Sequence, residues 1–434
     1  MLFAGLDVHK RETEAVLLDE TGVVAHRERF PTRRDALLDF AARCLGPRVR
    51  VALEATTNTW GVVDVLAETG TEVVVSNPLR TRAIAEAKVK TDKVDALVLA
   101  QLLRCDYLPT VWRPDAATRE IRDLTSRRAA LVAERTRIKN RLHAELHRRL
   151  IHPPMDALYG PTGLAWLREL DLDPLGRAAV DSGLRLLDAV EAEIALVFQE
   201  LARRAQRSAQ AKLLLTLPGV DVAVAQTLLA TLGDVARFES GDHAASYLGL
   251  VPSTRQSADH CYHGPITKHG KGHTRWMLIQ AAQHLDKHPG PLGVFFRKLA
   301  QKKNRNVAVV ATARKLVVIA WHMLTRNEPY RYAQPHPTEE KLARLRCAAG
   351  QKKPRGTTKG QARSATYGSG RRTRAVPALA DAYTSEGLPA PKPLAPGERA
   401  FIERAGLAGY VDGLAVAHRA SRQPRKDALP ERQS

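Results

Sequence analysis

Four carboxylates in the first quarter of the chain have a spacing that could bind metal ions. Asp7 follows the apolar run 2–6, Glu54 ends the run 49–54, and Asp92 and Asp95 are three residues apart, which places both on one helix face. Clustered carboxylates repel one another unless a cation neutralises them, and oxygen ligands without neighbouring Cys or His favour Mg²⁺ or Mn²⁺. Two such ions about 3.5–4 Å apart could hold the attacking and leaving oxygens of a phosphoryl transfer.

Each of these acids also has an ordinary explanation. Asp92 could be an N-cap, Asp95 could pair with Lys93 or Arg104, and Glu54 could be solvated at a strand end. The spacing alone leaves the metal site and these explanations equally open. Their combination favours the site, because the acids follow a ribonuclease-H-like order of elements.

A second candidate for chemistry is a serine in the segment 246–282. Ser253 and Ser257 are predicted to lie in a polar loop, and Lys268, Lys271 and Arg275 follow them. A serine among cations could attack a phosphodiester while the cations stabilise charge on phosphorus. Loop serines are, however, more often turn residues. The same segment holds residues of zinc-ligand type without a standard ligand spacing, for which phosphate contact or loop hydrogen bonding is the favoured role: His260, Cys261, His263, His269 and His273.

The elements that must position the acids alternate between strand and helix patterns. Thr32 is a possible N-cap, Asn77-Pro78 ends a strand, and 20–22 is a hairpin signal. Together they predict an α/β domain. The predicted strands are 2–6, 14–18, 23–28, 49–54 and 72–76, and the predicted helices are 32–45, 59–69 and 92–104.

Beyond this domain the patterns become helical and then basic. Residues 116–150 form a long charged helix whose apolar seam Arg128 and Arg135 interrupt, and 176–207 is a second helical stretch. A coiled-coil arm and a local helical hairpin are equally favoured. Residues 213–330 are predicted to be compact and helical, and the Pro-Gly turn in 215–220 indicates either a phosphate-binding helix–hairpin–helix or an ordinary corner.

The last hundred residues carry about half of the net positive charge. Residues 351–375 are predicted to be disordered and to bind polyanions, or simply to be solvated. The predicted domains are therefore 1–115 (α/β), 116–207 (helical arm), 208–334 (mostly helical, with the serine) and 335–434 (a basic, disordered, low-complexity tail).

Composition indicates the kind of partner. The 434 residues have a formal net charge of +21 and a pI near 10.1, with 44% hydrophobic residues. Such a charge favours nucleic acid as a partner and argues against a free-standing metabolite enzyme. Four scattered cysteines form no CxxC pair, the N-terminus has no secretory pattern, and no apolar run reaches the ~18 residues of a membrane span. We therefore expect a cytoplasmic, nucleoid-associated prokaryotic protein.

Several motifs together resemble the DEDD insertion-sequence transposases. They are GLDVHK (5–10), ALEATTNTW (52–60), the K-T-D-x-x-D run within 76–103, and LPGV followed by G-L-x-P-x-x-x-x-S. The resemblance covers about residues 1–330. It implies a RuvC-like domain of ribonuclease-H fold, a coiled-coil arm, and a transposase domain with a serine nucleophile. Two departures are Ala258, where the family often has Gly, and a tail longer than in compact members.

The resemblance also implies the site and its partners. By motif position, Asp7, Glu54, Asp92 and Asp95 are the Mg²⁺-binding (or Mn²⁺-binding) acidic tetrad, and Ser257 is the nucleophile. The implied partners are donor and target DNA, a structured bridge RNA that guides the enzyme, and further copies of the chain in a dimer or tetramer. The alternatives are a metal-dependent Holliday-junction-type resolvase without a covalent intermediate, and a non-catalytic nucleic-acid-binding protein. Candidate nucleic-acid contacts are Lys10, Arg80, Lys90, Arg128, Arg135, Lys268, Lys271 and Arg275.

Overall fold

The computed structural model describes residues 1–84, 92–257, 260–351 and 373–421. For residues 92, 93, 257, 373–375 and 418–421 it describes the backbone alone. The chain divides into two compact units, Met1–Asp115 and Ala116–Ser434.

The first unit is built around a five-stranded mixed sheet with the strand order β3-β2-β1-β4-β5. The first three strands form an antiparallel meander, and β4 and β5 continue the sheet parallel to β1. This arrangement is consistent with a nuclease-like α/β domain. The elements are β1 (Leu2–Val8), β2 (Glu12–Leu18), β3 (Val24–Pro31), α1 (Arg34–Cys44), β4 (Val49–Glu54), α2 (Thr59–Ala67), β5 (Glu72–Ser76), α3 (Pro78–Ile84) and α4 (Asp92–Arg104).

Helices cover both faces of this sheet. On one face, Ala4, Leu6 and Val8 of β1 pack with buried residues of α1 and α2. On the other face, Phe3 and Ala52 pack against α4. A strand covered on both faces must be apolar on both, which explains why β1 is a continuous apolar run rather than an alternating one.

The predicted strands and helices of this unit are confirmed, with shifts at their ends. Two details differ. The N-cap of α1 is Arg33 rather than Thr32, because the Thr32 hydroxyl is hydrogen-bonded to the Thr13 hydroxyl on β2 (2.9 Å). Helix α3 was not predicted; it begins where the Asn77 side chain accepts a hydrogen bond from the Leu79 N–H (3.1 Å).

The second unit is mostly helical, with two small antiparallel sheets, β6–β7 and β8–β9. Its elements are α5 (Ala116–Arg148), α6 (Pro161–Glu169), α7 (Pro174–Arg207), α8 (Ala209–Leu215), α9 (Val222–Leu232), α10 (Gly241–Tyr247), β6 (Pro252–Ser257), β7 (His260–Ile266), α11 (Gly272–Ala282), α12 (Pro291–Lys302), α13 (Arg305–Arg326), α14 (Pro335–Ala348), β8 (Thr373–Val376), α15 (Leu379–Thr384), α16 (Pro396–Arg404), α17 (Ala408–Leu414) and β9 (His418–Ser421).

The two long helices α5 and α7 form an antiparallel hairpin. Ion pairs join the two helices from the start of α5 and the end of α7 to the middle of both: Glu120 to Arg204 (2.6 Å), Arg127 to Glu193 (2.8 Å) and Arg135 to Glu191 (3.4 Å). In the other half of the hairpin, the end of α5 and the first half of α7 share a small apolar core that includes Ile138, Leu142, Leu184 and Leu187. Both predicted helices are confirmed and a local hairpin is observed, whereas a coiled-coil role in assembly stays a prediction.

The main core of the second unit is formed by α8 to α15 together with the end of α7 and Leu414 of α17, and α13 lies in it. Length and composition alone would allow α13 to cross a membrane. However, Arg314 and Lys315 interrupt its apolar sequence, and Ala313, Leu316 and Val317 are buried in the core. The apolar residues of α13 are thus part of the packing of this unit.

The expectation of a disordered tail over 335–434 is wrong for the segments that the structure describes. Helices α14 to α17 are ordered there, and Tyr383 is completely buried. Leu342, Leu345 and Leu414 join the same core as α13. The basic composition of the region as a whole conceals these apolar positions. Most of the segment 351–375, for which disorder was specifically predicted, lies outside the described residues.

Candidate active site

Asp7 and Glu54 lie side by side at the carboxyl ends of two neighbouring parallel strands. Leu6 pairs with Leu53 in the register of β1 and β4, so the next positions on each strand are adjacent. Asp7 is two residues beyond Gly5, and Glu54 is two residues beyond Ala52. Because side chains alternate between faces, both acids project from the sheet face that α4 covers.

The beginning of α4 is pressed against β1 next to these acids. A Cβ built on Gly5 would lie 2.6 Å from the Ala100 nitrogen and still closer to the Ala96 carbonyl oxygen, so only glycine allows the helix this close. Asp95 immediately precedes Ala96 and lies in the first turn of α4. Helix and sheet therefore bring three of the four predicted acids to one end of one sheet face. Asp92 is the first residue of α4, and its side chain lies outside the described residues.

His9 adds a polar neighbour that the sequence reasoning missed. Its Nε2 lies 3.1 Å from Asp7 Oδ2, with the carboxylate 17% exposed and the imidazole 55% exposed. The signal in the sequence is the spacing Asp-x-His at a strand end, where residues two apart share a face. The imidazole therefore lies where it would compete with a metal ion for this carboxylate oxygen.

The acids fit a divalent metal by chemistry, because oxygen ligands suit Mg²⁺ and Mn²⁺. Their oxygens are not tightly grouped, however. In the part of the chain with described side chains, the one set of three metal-ligand atoms within 4.8 Å of one another is His26, Glu28 and Cys44, on β3 and α1. Glu28 there is already bound by Arg43, at 2.7 and 3.1 Å. A metal at Asp7, Glu54 and Asp95 would have to draw the carboxylates together.

Ser257 lies at the end of a β-hairpin rather than in a loop. It is the last residue of β6 and pairs with His260 of β7. The expectation of a polar loop is wrong here, because the run Thr254–Ser257 is extended and pairs with β7. The Ser257 side chain and Ala258 lie outside the described residues. The hairpin is mostly exposed to solvent, as is Tyr262 on it (67%).

Cations gather where α5 meets the start of α11. Burial lowers the pKa of Lys271, and the nearby positive charge of Arg122 lowers it further. Burial likewise lowers the pKa of His273, with contributions from Arg128 and Lys271. The lowered pKa leaves His273 largely neutral, so the cations here are Arg122, Arg128 and Lys271. They outnumber the nearby carboxylates of Asp123 and Asp221 and so favour a polyanion as partner. His273 also stacks on Trp276, which is 48% exposed. We call Arg122, Arg128, Lys271 and His273 the α5–α11 cluster.

The other predicted nucleic-acid contacts differ in how exposed they are and in whether they already bind groups of the protein. Lys10, Arg80 and Lys268 are exposed. Arg135 is paired with Glu191, and Arg275 donates to the carbonyls of Leu248 (3.1 Å) and His269 (2.8 Å), so part of its capacity is used within the protein. Lys90 lies outside the described residues. Arg122, which no sequence pattern distinguishes on its long charged helix, donates to the carbonyls of Ala230 (2.6 Å) and Thr231 (3.4 Å).

The Pro-Gly turn joins α8 to α9 as a tight corner. Gly219 has φ +79° and packs against the Ala281 carbonyl, where a Cβ would clash. The Asp221 side chain caps α9 by accepting from the Val224 N–H (2.8 Å). The amino end of α9 is therefore already occupied by a carboxylate, which counts against phosphate binding at this point.

Comparisons with known proteins agree with this geometry. A family model for DEDD transposases of IS110 type matches residues 4–150, and a second, described as the transposase IS116/IS110/IS902 family, matches residues 211–293. Together they cover just over half of the chain and include all four predicted acids and Ser257. The chain belongs to this transposase family. As a member it is an enzyme of DNA transposition or recombination.

Individual relatives carry corresponding names. A putative transposase, y4qE, of Sinorhizobium fredii is 31% identical over 53% of this chain, but the match covers only 56% of that protein. The transposase of insertion sequence IS1328 from Yersinia enterocolitica is 26% identical over 74% of this chain and 96% of its own length. A pilin gene-inverting protein of Moraxella lacunata is 26% identical over 60% of this chain and 74% of its own length. Membership of this family suggests that the enzyme depends on a divalent metal and that it acts on DNA.

Proposed function

We propose that the chain cuts and rejoins DNA strands with a Mg²⁺-binding (or Mn²⁺-binding) tetrad of Asp7, Glu54, Asp92 and Asp95 and with Ser257 as nucleophile. The observation that carries the proposal is the convergence of Asp7 and Glu54 on the sheet face where α4 begins. Acids gathered at one end of a sheet suit phosphoryl transfer.

The chain's residues have separate roles in this proposal. The tetrad carboxylates hold the metal, which when bound would neutralise charge on the scissile phosphate. The Ser257 hydroxyl attacks phosphorus, so that a serine–phosphate bond forms, the DNA P–O bond breaks, and the leaving DNA oxygen takes up a proton. The phosphoserine bond conserves the energy of the phosphodiester, and attack by a DNA hydroxyl reverses the step and joins new strands.

Donor and target DNA, and a bridge RNA as guide, are the proposed nucleic-acid partners. Support comes from the net charge of +21 and from the α5–α11 cluster. Exposed Tyr262 and Trp276 offer ring faces on which unpaired bases can stack. The implied dimer or tetramer would allow the acids of one protomer to act with the serine of another.

The test combines purified full-length protein, Mg²⁺, donor-end and target oligonucleotides, and RNA transcribed from the DNA flanking the gene. A denaturing gel separates a covalent protein–DNA adduct from simple cleavage products. Ser257→Ala should abolish the adduct, whereas the matched variant Ser253→Ala on the same strand should retain it. Asp7→Asn should abolish all cleavage, whereas Asp39→Asn, an exposed acid on α1, should not.

Each outcome has a distinct meaning. An adduct that requires RNA, Ser257 and Asp7 supports the full proposal. Cleavage that survives Ser257→Ala without an adduct favours the junction-resolvase alternative. Salt-sensitive binding with a linear log–log slope, but no cleavage with either metal, favours a non-catalytic binding protein.

A further inference from the structure

A cavity of about 340 Å³ in the second unit is unrelated to the predicted acids and serine. One wall is the corner between α8 and α9 together with Lys287 and His288; the other is α14. The second wall lies outside the family match at 211–293. Pockets that bind small ligands have volumes from about 300 Å³ upward, whereas one water molecule occupies only about 30 Å³ in the liquid. The cavity is thus large enough for a bound group.

His288 provides a buried hydrogen-bond donor that has no acceptor. The residue is only 8% exposed. Its Nδ1 accepts a hydrogen bond from the Gly290 N–H (3.1 Å), so in the neutral ring the proton is on Nε2. Burial lowers the pKa of His288 to about 4, with help from the charges of Lys341 and Arg297, and the ring is therefore neutral at pH 7. Nε2 has no hydrogen-bond partner among the described residues, although buried donors almost always have one.

Lys341 brings a cation to the same cavity from α14. Its Nζ donates to the carbonyls of Leu217 (2.6 Å) and Val220 (3.2 Å), which uses two of its three N–H groups. Burial of the ammonium lowers the pKa of Lys341 to about 7, against the stabilising charge of Asp221. A ligand that carries negative charge would restore the protonated form of this amine.

The rim of the cavity is also basic. Lys287 and Arg344 are exposed there, and the one acidic lining residue, Glu340, lies 3.8 Å from Arg344. The rim therefore carries two cations against one carboxylate, and Lys341 adds a third when it is protonated. The His288 donor and the third Lys341 N–H are thus available to acceptor atoms, and the basic lining favours an anion.

We propose that this cavity binds a phosphate group, with the Lys341 ammonium as inner donor and Lys287 at the rim. The His288 Nε2–H, which has almost no surface open to solvent, would reach the anion by a small rotation of the ring. Phosphate suits the site better than carboxylate because it offers more acceptor oxygens and more charge to donors that approach from several directions. The phosphate could be a free ion or nucleotide, or part of a nucleic-acid backbone. The proposal does not depend on Ser257 or the acidic tetrad.

The test uses the full-length protein with ¹⁵N-labelled histidine. The His288 ring nitrogens are assigned with His288→Gln and followed during titration with inorganic phosphate, at ionic strength held constant with chloride. A parallel titration uses a DNA oligonucleotide, and acetate serves as the carboxylate comparison. His322 is the internal control, since its Nδ1 is also buried and unpartnered but the residue does not line the cavity.

Binding should shift the His288 Nε2 resonance and leave His322 unchanged. Lys287→Ala should weaken binding about two- to five-fold, as expected for an exposed charge pair, whereas Lys302→Ala, an exposed lysine outside the cavity, should not. Lys341→Met should weaken binding at least about ten-fold. Should Lys341→Met fail to fold, the His288 shift and the Lys287→Ala comparison decide.

Both sources of phosphate support the site and can be separated. A response to inorganic phosphate identifies a small-anion site, and a response to the oligonucleotide alone identifies a backbone contact. The proposal is overturned if neither ligand moves His288. It is equally overturned if phosphate, acetate and chloride move His288 and His322 alike.

Discussion

Replacing Gly5 with alanine should separate α4 from β1 and disturb the predicted metal site without changing any charged residue. The added Cβ would lie 2.6 Å from the Ala100 nitrogen and closer still to the Ala96 carbonyl oxygen. Both are backbone atoms, so no side chain can rotate away. Reaching an ordinary contact of about 3.5 Å requires a movement of the helix or strand of at least about 1 Å.

The energetic size of this change can be bounded. Inserting a methyl group into a packed interior commonly costs about 1–3 kcal/mol. Because about 1.4 kcal/mol corresponds to a factor of ten in an equilibrium constant, local opening of β1 and α4 should become about five- to hundred-fold more frequent. The movement would also shift Asp95, next to Ala96, relative to Asp7, so more Mg²⁺ should be needed for cleavage.

Hydrogen–deuterium exchange of the full-length protein, followed by mass spectrometry of peptides from β1 and α4, measures this opening directly. The matched control is Gly61→Ala in α2, where nothing lies within 4 Å of an added Cβ. A helical Gly→Ala change without a clash stabilises by roughly 0.5–1 kcal/mol, so the control should slow exchange. If Gly5→Ala leaves exchange of β1 and α4 within two-fold of the wild type, the close approach of helix and strand at Gly5 is refuted.

Three further predictions concern the second unit. Tyr383→Phe removes the hydrogen bond from the buried hydroxyl to the Tyr330 carbonyl (2.6 Å) and should lower the free energy of unfolding by about 1–3 kcal/mol. The thermal midpoint should fall; an unchanged midpoint would contradict the packing of α15. Burial lowers the pKa of Lys341 from 10.5 to about 7, so between pH 7 and 10.5 the unfolded chain binds more protons than the folded protein. The stability of the wild type should therefore rise with pH in this range, whereas the urea midpoint of Lys341→Met should lack this rise. The hydrogen bond from Arg149 lowers the pKa of Asp173 from 3.8 to about 2, so the stabilisation that the ionised carboxylate provides should be lost as pH falls from about 4 to 2. In that range the stability of Asp173→Asn should fall less steeply with acid than that of the wild type.

The sheet of the first unit could be predicted from sequence because its signals are local. β1 and β4 are short apolar runs with an acid at or next to their last residue, and turn residues separate β2 from β3. The parallel pairing that brings Asp7 beside Glu54 follows from the order of the elements. By contrast, the contact of Gly5 with α4 joins residues about ninety positions apart and leaves no pattern in either segment.

The cavity could not be predicted for the same reason. His288 looks like an ordinary loop histidine, and Lys341 like a solvated residue of a charged helix. Their properties arise only when α14 packs on the corner between α8 and α9 and removes both polar groups from water. Burial, which is set by distant residues, changes the pKa of each group, whereas sequence spacing reports only local geometry.

The described part of the C-terminal region is best understood as a component of the transposase unit. A mean composition over a hundred residues predicts a tail, because many cations dilute a few apolar residues. Folding, however, depends on where the apolar residues lie, and Leu342 and Leu345 are three apart, on one face of α14. That face packs into the core. Lys341, on the same helix, donates to the Leu217 and Val220 carbonyls. Removing α14 would take the Lys341 donor from both carbonyls, leaving Leu217, among the described residues, only the bond from the Val220 N–H (3.3 Å), and would expose apolar surface within the region that the family model matches. The extra length therefore stabilises the domain to which it is attached.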